Sequence, residues 1–174
     1  MTETDDIQQP ADADRLRALL RHQASTVTVV TAPGPPLVGF TATSFTSVSL
    51  RPLIVSFCQN LASSSWPVVA RARHVGVHLL RPGQQELART FATSGIDRFA
   101  APTRWRTGPK GVPILDGTLA WLLCRVVDRL AVGDHAIVLA EPELLWHADA
   151  GTPLLYHQGR YAHLAEHAGR RVAA

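Results

Sequence analysis

The stretch GFTATSFTSVSLRPLIVSFCQNLASSSW, residues Gly39 to Trp66, decides the fold. Hydroxyl side chains alternate with apolar ones in its first part, and an apolar run that contains Ser56 fills 53–58. Such a pattern over this length predicts extended, half-buried strands. The next segment, WPVVARAR, carries proline where the first turn of a helix tolerates it. The stretch therefore predicts strands at 37–50 and 53–59, followed by a helix at 66–73.

Three serines, Ser63 to Ser65, stand immediately before that predicted helix. Hydroxyls and free backbone N–H groups at the start of a helix suit an anion such as phosphate. The alternative is that the serines only cap the helix. The triplet taken alone favours capping, so the choice depends on the rest of the chain.

The remaining chain continues the strand-rich pattern. A helix capped by Asp12 or Asp14 and ending near His22 precedes a β-branched strand at 26–32 and a PGPP turn at 33–36. Further strands are predicted at 74–80, 118–130, 135–147, 153–157 and 161–164, with a helix from Pro82 and a long loop at 93–117. Antiparallel links dominate this order, and closure of a sheet removes its exposed edges. The prediction is a mainly β fold, a β-barrel with peripheral helices.

Length and composition predict one globular domain. The chain has 174 residues, of which 46% are hydrophobic and 18% charged. A chain of this length and composition can bury a hydrophobic core without disulfide bonds or a structural metal. We expect a disordered N-terminal arm at 1–11, the folded domain at 12–166 and a flexible tail at 167–174. The N-terminus is acidic and no apolar run reaches membrane-spanning length, so we expect a cytoplasmic protein that has no contact with a membrane.

Charge is unevenly distributed along the chain. The first fourteen residues contain five acids and no base, which leaves seventeen bases against nine acids in the remainder. Sixteen of these bases are arginine, which suits bidentate contacts with phosphate, so a phosphorylated ligand is predicted. The arginines are scattered and no basic run is interleaved with aromatic residues. A nucleic-acid partner is therefore not predicted.

Several kinds of site are disfavoured by what the chain lacks. Cys58 and Cys124 each sit in an apolar run, which predicts two buried thiols instead of a disulfide or a metal site. His157, His163 and His167 have no acidic or cysteine companions at ligand spacing, so no metal site is predicted. GxGxxG, P-loop, HExxH and GxSxG motifs are absent, which disfavours a Rossmann unit and zinc or serine hydrolase chemistry.

Six segments, in order, resemble the short-chain flavin reductases, the small components of two-component flavin-dependent monooxygenases. These segments are GFTATSF (39–45), SLRPLIVSFCQNLASSSWP (49–67), RFA (98–100), GVPILDGTLAWLLC (111–124), GDHAIVLAEPE (133–143) and PLLYHQGRY (153–161). The resemblance covers residues 13–165 and implies an FMN-binding split barrel. Members of this family are usually homodimers with flavin near the subunit interface.

The resemblance also implies an activity. Family members oxidise NADH or NADPH, reduce FMN or FAD, and release the reduced flavin to a partner monooxygenase, in natural-product biosynthesis or aromatic degradation. Hydride transfer needs stacking and orientation more than a strong acid or base. Two alternatives remain open: a flavin or haem carrier without turnover, and an oxidase that retains its flavin.

Carried over by motif, the resemblance implies a set of site residues. Residues 40–44 form the strand edge facing the isoalloxazine, 58–65 hold the ribityl chain and phosphate, and His135 lies at the nicotinamide site. The residues implied for cofactor binding are Phe40, Thr41, Ala42, Thr43, Ser44, Phe57, Cys58, Gln59, Asn60, Ser63, Ser64, Ser65, Trp66, Phe91, Arg98 and Tyr161. One departure from the family is that no lysine or arginine lies between Gln59 and Trp66.

Overall fold

Strands are the main regular secondary structure in the computed structural model, which describes residues 10–164. Three short helices accompany them: α1 (Ala13–Leu20), α2 (Trp66–Val69) and α3 (Gln85–Ala92). The strands in chain order are β1 (Ser25–Thr26), β2 (Thr28–Ala32), β3 (Val38–Ala42), β4 (Thr46–Leu50), β5 (Leu53–Asn60), β6 (His74–Leu79), β7 (Trp105–Thr107), β8 (Pro113–Leu115), β9 (Ala120–Val132), β10 (His135–His147), β11 (Leu154–His157) and β12 (Arg160–His163).

Seven of these strands form one antiparallel sheet in the order β3-β2-β6-β9-β10-β5-β4. The sheet curls on itself, so that the ring of Phe40 on β3 lies 6.0 Å from that of Phe57 on β5. Strands β1, β11 and β12 make a small second sheet, and β7 pairs with β8. The predicted mainly β barrel with peripheral helices is confirmed.

Apolar side chains fill both sides of β2. Val30 packs in the barrel interior with Phe57 and Val77, while Val29 joins a second cluster with Leu80 and Phe91 of α3. Every residue of β2 is buried as a result, which explains its run of β-branched residues. The second cluster fixes α3 against β2 and β3, and so helps to position the segments that follow α3.

Gly39 allows this close packing on β3. A Cβ atom at Gly39 would lie 2.5 Å from Cε1 of the Phe91 ring, a distance at which neighbouring atoms must move. The glycine is therefore needed where α3 approaches the strand, and the nearby backbone carbonyl of Gly39 stays available for side-chain hydrogen bonds.

Two predicted elements were wrong in extent. The strand expected at 37–50 divides at Thr43–Phe45 into β3 and β4, which lie at opposite ends of the main sheet because β3 pairs with β2 and β4 with β5. The helix expected at 66–73 ends at Val69. Arg129 of β9 donates to Val69 O, the last carbonyl of the helix, and to Ala72 O in the turn that follows.

The long predicted loop at 93–117 is partly ordered into strands, since it contains β7 and β8. Of the arm predicted at 1–11, residues 1–9 lie outside the described residues, as do 165–166 at the end of the predicted domain and the whole tail at 167–174. Cys58 and Cys124 are free thiols. Cys124 is buried as predicted, whereas Cys58 is only half-buried, because its side chain lies on the outer face of β5. None of the helices described between residues 10 and 164 is long and apolar enough to cross a membrane.

His78 of β6 is a fully buried titratable group. Its Nδ1 lies 3.1 Å from Val29 O and its Nε2 accepts the Leu115 N–H at 3.2 Å, which defines a neutral ring that donates from Nδ1. Burial lowers the pKa of His78 from 6.5 to about 4. A proton on Nε2 would remove the acceptor for Leu115 and place a charge in the core.

The free energy of unfolding should therefore depend on pH through His78. Because its pKa is lower in the folded chain than in the unfolded one, its contribution is complete above the ordinary pKa of 6.5 and is lost as pH falls towards about 4. The loss should reach up to about 3 kcal/mol. Urea titrations between these pH values should show this slope in the wild type and a smaller one in His78→Gln. The exposed His163→Gln variant serves as the control, and equal slopes in all three proteins would contradict the assignment.

Candidate functional site

A row of polar side chains lies on the outer face of the main sheet. His135 of β10 stands directly opposite Asn60 of β5, and Cys58 pairs with Ile137 two residues further along. Alternation along both strands places His135, Asn60 and Cys58 on the same face as Ile137, away from the barrel interior. Ser44 joins the row from the segment between β3 and β4, since its Oγ accepts the Cys58 N–H at 2.8 Å. Sequence-predicted residues from three segments thus meet here.

His135 is oriented by its neighbour in the turn between β9 and β10. Its Nδ1 lies 2.7 Å from Oδ1 of Asp134, and the hydrogen bond to His135 lowers the pKa of the exposed Asp134 carboxyl. Gly133 supplies the positive φ of 60° that this tight turn needs. The imidazole remains substantially exposed, so Nε2 is available to a ligand on the outer face.

A cavity of about 580 Å³ opens beyond the other end of the loop 60–66. Its lining includes Ser64, Ser65, Gly39, Arg98 and Trp105. A volume of this size is typical of small-ligand sites. The Ser64 hydroxyl and the Arg98 guanidinium are donors suited to phosphate, and the Asp97 carboxylate lines the same cavity.

Arg98 supplies the cation that the loop 60–66 lacks. Its Nη1 donates to Ser65 Oγ and to Gly39 O, both at 3.0 Å, and its Nε donates to Thr93 O at 2.9 Å. Partial burial lowers the pKa of Arg98 from its usual value, yet an arginine stays charged at neutral pH. Among residues 10–164, no hydrogen bond engages Nη2, so one side of the guanidinium can still serve a ligand in the cavity.

The serines do not act as conventional helix caps. Ser65 precedes α2, but its fully buried side chain makes no capping bond and donates instead to Gly39 O at 3.2 Å. Ser63 Oγ accepts the Ser65 N–H, and Asn60 Oδ1 accepts the Ala62 N–H, so the loop is a series of turns. This arrangement disfavours the capping interpretation that the sequence left open for Ser65. Ser64 faces the cavity without such a commitment.

Other predicted cofactor residues lie in the protein interior. Phe57 and Phe91 have no exposed surface, while Phe40 and Ala42 are buried in the barrel. A ligand could reach these side chains only after rearrangement, and Phe40 and Ala42 can offer a ligand only their backbone. Thr41 Oγ1 donates a hydrogen bond to Ala88 O of α3 at 2.6 Å, so the proton of this hydroxyl is already engaged within the protein.

Gln59 and Trp66 also face inward. Trp66 packs half-buried against the barrel core. Both amide atoms of Gln59 are buried and have no hydrogen-bond partner within the described chain. Such a group ordinarily acquires a partner from water or a ligand. Gln59 stands beside Cys58 and Asn60, so an unpaired amide lies directly under the polar row.

Tyr161 lies in a separate part of the molecule, on β12. Its ring packs edge-on against that of Tyr156 at 5.4 Å, and the Arg89 guanidinium lies 5.5 Å above it. Burial raises the pKa of the Tyr161 hydroxyl. Tyr156 lines a second cavity, of about 540 Å³, that also includes Thr43 and Ser44. Tyr161 thus contacts Tyr156, which lines the same cavity as Ser44 of the polar row.

Sequence reasoning missed two residues at the first cavity, Asp97 and Trp105. Both line it beside Arg98 and Phe99, which lie in the RFA segment that carries the resemblance. Trp105 Nε1 donates to Phe99 O at 3.0 Å, and the two rings pack edge-to-face at 5.4 Å. The RFA segment signalled Phe99 but not its partner. Trp105 comes from the predicted loop, where nothing in the local pattern marked it.

The chain belongs to the flavin reductase-like family. The family model, described as a flavin reductase like domain, matches residues 20–165. An NADH:FMN oxidoreductase of Rhodococcus qingshengii is 44% identical over 151 residues, which is 83% of this chain and 78% of that protein. The reductase component of a 4-nitrophenol 4-monooxygenase/4-nitrocatechol 2-monooxygenase of Rhodococcus opacus is 40% identical over 161 residues, 89% of this chain and 83% of that protein.

Solved structures agree with this assignment. The NADH:FAD oxidoreductase of Streptomyces globisporus, solved with NAD and FAD fragments, matches with a TM-score of 0.87 at 33% identity. The match covers 92% of this chain and 98% of that one. The split-barrel fold predicted from the sequence is therefore confirmed.

Proposed function

We propose that this protein is an NAD(P)H:flavin oxidoreductase that reduces FMN or FAD and releases the reduced flavin. The observation that carries the proposal is the loop 60–66, which joins two complementary sites. Asn60 at its start lies opposite His135 on the outer face, and Ser65 at its end meets Arg98 in the cavity. An anion site and an orienting imidazole at the two ends of one loop fit a phosphate-bearing flavin and its hydride donor.

The residues present fit a flavin. Ser64 and Arg98 would hold the phosphate, since they provide a hydroxyl and a guanidinium donor at one cavity, and Ser65 would position Arg98 by accepting its hydrogen bond. Thr43 and Ser44 would meet the ring edge, because they are the exposed residues where β3 ends. The unpaired amide of Gln59 lies beneath this region.

Bound flavin supplies the two-electron acceptor for a hydride from the nicotinamide. The chain's own contribution is positioning: His135 Nε2 is free to hydrogen-bond the donor while Asp134 fixes the ring through Nδ1. Hydride transfer requires close stacking of donor and acceptor, and a held geometry of this kind accelerates it. No buried acid or base is required for the step.

The assay that tests this function measures NADH and NADPH consumption with FMN, with FAD and without added flavin. Consumption should scale with free flavin, because flavin acts as a substrate that leaves the site. Consumption without added flavin would indicate an oxidase that retains its cofactor. Flavin binding without turnover with either donor would overturn the proposal in favour of a carrier.

We also propose that the reduced flavin serves a partner monooxygenase. The Rhodococcus opacus relative is named as the reductase component of such an enzyme, and the flavin reductase of a tryptophan halogenase is among the similar structures. The exposed position of the polar row supports release of flavin to a second protein. A purified oxygenase should consume the reduced flavin that the reductase releases. This transfer should not require direct contact between the two proteins.

A homodimer is the assembly that the exposed surface supports. Leu130 and Val132 of β9 are exposed beside His135, with Val132 directly opposite it. The α1 helix buries no residue within the described chain, although Leu16, Leu19 and Leu20 are large and apolar. Apolar surface of this extent is typical of an interface, and a second copy is the occupant proposed here.

Leu130→Glu should weaken the dimer, because burying a carboxylate in an apolar contact is costly. The dimer dissociation constant should rise roughly tenfold or more, and flavin binding should weaken with it. Light scattering over a concentration series measures the effect. Leu145→Glu, at an exposed leucine on the far part of β10, provides the matched control. A wild-type monomer that binds and reduces flavin would refute this assembly.

A further inference from the structure

The second cavity is the strongest unassigned site. It is lined by Arg17, Arg21, Thr43, Ser44 and Tyr156, among others, and has a volume of about 540 Å³. None of its lining residues carries a carboxylate, so its charged groups are two arginines. Guanidinium and hydroxyl groups without a competing acid suit an anionic ligand, and phosphate in particular.

Arg21 is the cation available to such a ligand. Arg17 is already paired with Asp14 at 2.6 Å, whereas Arg21 forms no salt bridge with any residue in 10–164. The backbone of Arg21 is fixed, because its carbonyl accepts the Gln158 N–H at 3.0 Å. That bond joins the end of α1 to the β11–β12 hairpin, and both Arg21 and Tyr156 line the cavity between them.

The cavity lies at the opposite end of β3 from the first one. Gly39 lines the first cavity and Thr43 the second, and four residues of strand span roughly 13 Å. Ser44 connects the second cavity to the polar row through its bond with Cys58 N. A ligand phosphate held here would therefore not compete with a flavin phosphate held at Ser65 and Arg98.

We infer that Arg21 binds the pyrophosphate of the nicotinamide dinucleotide, an inference that rests on the proposed reductase function. The exposed ring of Tyr156, which lines the same cavity, offers a face to the sugar or base. With its pyrophosphate at this end, the donor extends towards His135 over the outer face. The flavin phosphate occupies the other end of β3.

The decisive variant is Arg21→Ala, compared with Arg15→Ala. Arg15 lies on the same helix, pairs with Asp12 and does not line the cavity. Arg21→Ala should raise the KM for NADH roughly 10- to 100-fold, the loss expected for one charge-assisted hydrogen bond. Its KM for reduced nicotinamide riboside, which has no phosphate, and its Kd for FMN should match the wild type. Arg15→Ala should change none of these values.

Calorimetric titration with ADP-ribose tests the cavity without turnover. The wild type should bind ADP-ribose and Arg21→Ala should bind it at least tenfold more weakly. The inference would be overturned if Arg21→Ala lost as much activity with reduced nicotinamide riboside as with NADH, or if it bound FMN more weakly than the wild type. It would also be overturned if the variant kept the wild-type KM for NADH and Kd for ADP-ribose. If the wild type reduces flavin and Arg21→Ala does so equally well, this inference is wrong and the proposed function stands. ADP-ribose binding by a wild type that reduces no flavin contradicts the proposed function instead.

Discussion

Arg98→Ala should weaken FMN binding by roughly 10- to 100-fold while leaving riboflavin almost unaffected. The guanidinium donates to Ser65 Oγ and Gly39 O through Nη1, and Nη2 has no hydrogen-bond partner among residues 10–164. Its loss removes the cation nearest the proposed phosphate position and releases Ser65. Because riboflavin has no phosphate, the ratio of the two dissociation constants reports the phosphate contact directly. Quenching of flavin fluorescence measures both constants.

A matched control separates this effect from loss of folding. Arg71→Ala removes an exposed arginine just after α2, outside the cavity, and should bind both ligands as the wild type does. Arg98→Lys keeps the charge but cannot reproduce three bonds from one planar group, so it should recover only part of the affinity. Equal weakening of FMN and riboflavin in Arg98→Ala would assign Arg98 to structure alone.

His135→Ala should reduce kcat/KM for NADH by roughly tenfold to a hundredfold, with little change in flavin affinity. The ring lies on the exposed face, is fixed by Asp134 and can donate or accept at Nε2. In the proposed role it orients the donor without acting as an obligatory base. The KM for NADH should therefore rise and turnover should fall.

His147→Ala is the control for this prediction. His147 is an exposed histidine at the other end of the same strand, so its loss should leave NADH kinetics unchanged. The kcat/KM of Asp134→Asn for NADH should lie between those of the wild type and His135→Ala, because this change weakens the hydrogen bond at Nδ1 but keeps the imidazole ring. A folded His135→Ala protein with wild-type NADH kinetics would show that His135 is structural.

Most of the fold could be predicted from local sequence patterns. The apolar run at 53–58 and the β-branched residues of β2 identified buried strands, because alternation and branching are local properties. The break between β3 and β4 was missed, although the hydroxyl alternation shifts by one residue at Thr43 and Ser44, because hydroxyl residues continue on both sides of the shift. The hydrogen bond from Cys58 N to Ser44 Oγ marks that break, and it depends on a strand that comes later in the chain.

The site was predictable only in part. The resemblance singled out Ser65 and Arg98, but it could not show that they meet, because 33 residues separate them. Their role in flavin binding stays a prediction. Arg21 was missed altogether, since its position depends on Gln158 of a distant hairpin. Contacts of this kind arise from tertiary packing and leave no periodic signal in the sequence.

Anaerobic reduction of excess free FMN by NADH, with far less protein than flavin, tests the central claim most directly. The visible absorbance of oxidised flavin should disappear completely, which requires each chain to reduce and release many flavin molecules. Bleaching that stops near one flavin per chain would indicate a retained cofactor. No bleaching by NADH or NADPH, from protein that binds FMN, would contradict the reductase function.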